Sequence, residues 1–85
     1  MTFAALNTIH SLLVNEKYKA EKFVELHDYN YNEELEQKIY QYDGDEEKAY
    51  AAMIGRAVTA NRDNARRDLE RITQALQEFE SQDWR

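Results

Sequence analysis

Nothing in this sequence forces a helix to stop except two glycines. The 85 residues contain no proline, and Gly44 and Gly55 are the only glycines, so long stretches have no residue that removes a backbone donor or favours a left-handed turn. The apolar residues then supply the period. After Thr2, a suitable N-cap, Phe3, Leu6, Ile9 and Leu13 recur at helical spacing. Asn15 either ends that run or bends it. Tyr18, Phe23 and Leu26 continue the helical spacing, although residues 17–26 read equally as a short strand. Asn32 is a good N-cap for a helix with Leu35, Ile39 and Tyr42 along one side, which makes Tyr42 a core position. In "YDGDEE", Gly44 takes the conformation that closes a helix, and Asp45 caps the next one with Glu46 and Glu47 in its first turn. The expectation is an all-α single domain over 1–85, with three to four helices in a helical hairpin or small bundle. Residues 1–43 hold the N-terminal helices, and 45–82 form a long C-terminal helix with a heptad-like stripe.

That last segment sets the size problem. Ala65, Leu69, Ile72, Leu76 and Phe79 alternate steps of four and three, with Ala51 and Val58 continuing the stripe upstream. An unbroken helix over 45–82 runs about 57 Å. A compact chain of 85 residues has a radius of gyration near 12 Å, and so a diameter of about 30 Å. Either "NRDN", Asn61 to Asn64, interrupts the rod, or a second chain covers Ala65, Leu69, Ile72, Leu76 and Phe79. A homodimer is the favoured expectation, because each large apolar side chain left in water forgoes roughly 1.5–3 kcal/mol.

Charge divides the chain. Net charge is −6, yet residues 25–47 alone hold nine carboxylates against Lys38, which leaves −8 there and +2 over the rest. All five lysines precede residue 49, and all six arginines follow residue 55. Within 56–71, Asp63 stands at i+3 and i+4 from Arg66 and Arg67, and Arg66 at i+4 from Glu70, which reads as ordinary helix-surface pairing. A negative molecule repels phosphate, so nucleic acid is an unfavourable partner. The apolar run Ile9 to Val14 is too short to span a membrane and has no basic leader before it, so the expectation is a cytoplasmic chain without membrane contact. With no cysteine, neither a disulfide framework nor a thiolate site is available.

The usual chemical sites fail on spacing. A calcium loop begun at Asp28 meets Glu33 and Ile39 where glycine and glutamate are required, and one begun at Asp43 meets Lys48 at the glycine position. A di-iron bundle needs Glu three residues before each histidine, where His10 and His27 have Asn7 and Val24. Their separation fits no zinc pattern either. Ser11 adjoins His10 and points about 100° away from it along a helix. Two isolated glycines build no phosphate loop, and Glu33 with Glu36 share a helix side without a desolvating pocket. The expectation is no enzyme, no catalytic residue, no metal and no cofactor. His10, between Leu6 and Leu13, is expected at the edge of the apolar side with one nitrogen bonded, and His27 at a helix end.

What remains distinctive is "HDYNYNEELEQKIYQYDGDEE", residues 27–47, with four tyrosines and eight carboxylates against Lys38. Tyrosine joins an apolar ring to a wet hydroxyl and is enriched at interfaces. Tyr29, Tyr31, Glu33, Glu36, Tyr40 and Asp43 are therefore the expected partner-binding residues, with a basic protein as the partner. The alternative is an inhibitor that mimics DNA by presenting Glu33, Glu36, Asp43 and Glu47 on one continuous face.

Overall fold

The computed structural model describes residues 2–82, and among these residues the chain forms three α-helices and no strand. They are α1 at Phe3–Gln41, α2 at Glu46–Met53 and α3 at Ala57–Glu80. The fold is an all-α hairpin in which α2 and α3 lie in turn along α1. It is long and thin, with extents of 61 × 17 × 16 Å and a radius of gyration of 18.4 Å, against about 12 Å for a compact chain of this length.

The first half is one helix rather than several. Over its 39 residues α1 runs about 58 Å. The Thr2 hydroxyl accepts from the Ala5 N–H at 3.2 Å and starts it. Asn15 and Asn32 then sit exposed inside it. Both are good caps, but each costs a helix interior only about 0.7 kcal/mol, and no glycine or proline gives the chain another path. Residues 17–26 are helical for the same reason, since the turns on either side already carry the ladder.

The helix ends where the sequence allows a left-handed residue. Asp43 takes φ 55° and Gly44 φ 85°. The Gly44 N–H donates to Ile39 O at 2.8 Å and the Asp43 N–H to Tyr40 O at 3.2 Å, the double closure of a Schellman motif. The left-handed C′ position thus falls on Asp43, a residue whose short side chain tolerates it. Asp45 Oδ1 accepts from the Lys48 N–H at 3.2 Å and opens α2. The second break lies at Ile54–Arg56, around Gly55 at φ 81°. Asn61 to Asn64, the expected interruption, lie inside α3, because a permitted φ > 0 ends a helix more readily than exposed polar residues do.

Two zones result. At the closed end, Tyr31 and Leu35 of α1 meet Ala49 and Met53 of α2, with Ile39 and Val58 packed alongside. We call this the head. Ala49, fully buried, has no side chain beyond Cβ and so allows close helix approach. Beyond it lies a stalk of α1 and α3 alone, whose buried residues are Ala65 and Leu76. The heptad-like stripe therefore faces the chain's own α1: Ala65 and Leu76 are buried and Leu69, Ile72 and Phe79 half-buried. Polar pairs between helices accompany this packing. Asp28 meets Arg66 at 2.9 Å, His10 meets Glu80 at 3.2 Å, and Arg56 Nε donates to Glu34 at 3.0 Å. Arg66 pairs across the hairpin with Asp28 of α1, and Asp63 pairs with Arg62, rather than in the Asp63–Arg66 and Arg66–Glu70 helix-surface pairs expected from spacing.

Candidate interaction surface

The side of α1 turned away from the other helices carries a regular strip. Tyr18, Tyr29 and Tyr40 recur every eleven residues, three turns plus about 20°, in steps of about 16 Å. They are 61%, 63% and 88% exposed. Lys22, Glu25, Glu33 and Glu36 fall between them on the same strip. Tyr31 and Leu35 point the opposite way, into the head.

The strip changes character along its length. Near its start the Lys22 ammonium lies 5.4 Å from the Tyr18 ring centre and 3.5 Å from Glu25. From Glu25 onward its charged residues are acids. At Tyr29, the Glu33 carboxylate opposes ionisation of the phenol and accepts its hydrogen bond, so the phenol ionises above its ordinary range, with a smaller push from Glu36. Past Tyr40 the helix closure forms a shallow concavity lined by Glu36, Ile39, Tyr40, Gln41, Asp43 and Gly44. Tyr29, Glu33, Glu36, Tyr40 and Asp43 therefore run along one side of α1 and into the turn that ends it.

Tyr31 does not belong with them. It is 7% exposed, and the Arg62 guanidinium stacks on its ring at 3.7 Å, an arrangement that joins α1 to α3. Residues two apart on a helix point about 200° apart, so Tyr29 and Tyr31 cannot share a surface once α1 continues through them. Tyr42 is the C-cap residue of α1 and 37% exposed, not core, because the helix has ended beneath it. Glu47 lies on α2, two residues before buried Ala49, and so points away from α1. It shares no face with Glu33 and Glu36. His10 is half-buried, stacks on Phe79 with ring centres 6.0 Å apart and bonds Glu80. His27 lies within α1, edge-on to Phe23 at 4.4 Å, because no helix end occurs near it. Tyr18 is the strip member that short-range reading passes over. The signal for it is the eleven-residue interval, visible only when α1 is read as one continuous helix.

Set against known protein families, curated proteins and solved structures, the chain matches none of them. Among the described residues no helix is long and apolar enough to cross a membrane.

Proposed function

We propose that this chain is a non-enzymatic helical interaction module that self-associates through its hairpin and offers the acidic tyrosine strip of α1 to a basic protein partner. The observation that carries this reading is the exposure of Tyr29 and Tyr40 on the same strip as Glu33 and Glu36. Carboxylates draw a basic partner in, whereas exposed aromatic rings supply contact that becomes valuable only when a partner removes it from water. A strip of acids alone has no need of rings. A DNA mimic needs its carboxylates on one face, and the separation of Glu47 from Glu33 and Glu36 gives that alternative no support.

The test is a titration of a labelled helical peptide, rich in Arg and carrying Leu on one face, at two salt concentrations. Tyr29→Ala combined with Tyr40→Ala weakens binding by tenfold or more, while Glu33→Gln alone weakens it by less than threefold. Losses that depend only on the number of charges removed, and vanish in high salt, contradict the reading.

A further inference from the structure

The two edges of the stalk differ. On one, Asp28–Arg66 and His10–Glu80 bridge α1 to α3. The other is open. There Leu12, Lys19, Phe23 and Leu26 form a second strip of α1, at successive steps of seven, four and three residues. Leu12, Phe23 and Leu26 are all more than half exposed. Beside Phe23 a groove of about 250 Å³ runs between the helices, floored by Ala20 and Ala65 and edged by Glu16, Lys19, Asp68 and Ile72. Small residues on the floor and large apolar ones at the margin leave room for side chains from outside.

We infer that a second copy of this chain closes this edge, its Phe23 margin against the first copy's groove and the reverse, in a two-fold dimer of hairpins. The inference rests on the reading of the chain as self-associating and assigns that association to one edge of the stalk. Area is the first argument. The chain exposes 6,416 Å², whereas a compact protein of 10.1 kDa exposes about 5,300 Å². The excess, about 1,100 Å², matches what each partner buries in a stable interface, roughly 800 Å² or somewhat more. Charge is the second. A chain of net −6 repels its copy through residues 25–47, which carry −8, but the rest of the chain sums to +2 and the groove lies within it. The groove margin holds both signs, with Lys19 3.6 Å from its own Glu16 on α1 and Asp68 on α3, so under a two-fold axis the exposed Lys19 of one copy can meet Asp68 of the other. A strongly acidic or basic partner finds no such match there.

Light scattering and sedimentation over a concentration series test this on the full chain. Wild type sediments at twice 10.1 kDa. Phe23→Asp, at an exposed position, keeps its helical circular dichroism and raises the dimer dissociation constant at least tenfold, while Tyr50→Asp, on the exposed side of α2, leaves it unchanged. Should Phe23→Asp lose helix, Lys19→Glu on the margin takes its place, with the same tenfold weakening expected at low salt. A wild-type dimer indifferent to both substitutions overturns the assignment to this edge and leaves self-association standing. A wild-type monomer at millimolar concentration overturns both. A mass that climbs without limit marks an open head-to-tail contact and overturns the two-fold dimer.

Discussion

The head and the stalk are built from the same kind of amphipathic helix, yet they end in different states. In the head three helices meet, and Tyr31, Leu35, Ala49 and Met53 are all buried. In the stalk two helices meet over a longer distance, and Ala65 and Leu76 are the buried residues described there. The large apolar residues left exposed along the stalk include Phe3, Leu12, Val14, Phe23 and Leu26, whereas those around the head are mainly tyrosines whose hydroxyls suit water. Two cylinders touch along one line and cover only a narrow stripe of each other. A third body is needed to close the sides, and α2, eight residues long, supplies it at one end only.

The largest effect that separates the two zones is core truncation. Met53→Ala removes a side chain 1% exposed and costs about 2–5 kcal/mol, read as a lowered urea midpoint. Leu12→Ala, at a position 58% exposed, costs under about 1 kcal/mol in dilute protein, because little burial is lost. Equal costs in the dilute protein erase the contrast between head and stalk.

Next comes the joint between α2 and α3. Gly55 sits at φ 81° with open space where a Cβ would stand, so Gly55→Ala costs only backbone strain, about 1–2 kcal/mol. A neutral or stabilising result in urea unfolding would mean that α2 and α3 merge without disturbing the head. Smaller still is the cap of α2. Asp45→Ala forfeits its bond to the Lys48 N–H, at about 1 kcal/mol, and hydrogen exchange places the loss in α2 and not in the stalk.

The finest prediction concerns the tyrosine strip. Tyr29 ionises above its ordinary range because Glu33 stands beside it. A group whose pKa is raised in the folded state contributes stability below its ordinary pKa and loses that contribution as pH climbs through the raised one. Glu33→Gln removes that charge and lowers the Tyr29 pKa, so the variant's alkaline absorbance titration runs ahead of the wild-type curve; an unchanged curve contradicts the contact.

How much of this was legible beforehand depends on range. The helical class, the Asp45 cap and the break near Gly44 follow from local chemistry and are present as expected. The placing of length was not legible. The longest helix is the first, because caps such as Asn32 act only where the chain has an alternative to continuing, and here it has none. The stripe from Ala65 to Phe79, expected to be covered by a second chain, instead lies against the chain's own α1, with Ala65 and Leu76 buried and Leu69, Ile72 and Phe79 half-buried, because periodicity alone does not say which chain the covering helix comes from. Tyr31 was misplaced because composition groups it with Tyr29, while a continuous helix sends the two in opposite directions.

The central claim is that the head closes within one chain, whereas the stalk leaves one apolar edge of α1 exposed, the edge we propose a second copy covers. Amide hydrogen exchange, measured at a high and a very low protein concentration, addresses it directly. The account predicts that protection over residues 31–39 and 49–53 survives dilution, while protection over residues 9–24 and 69–79 falls with it. Stalk amides as protected as those of the head at every concentration would contradict it.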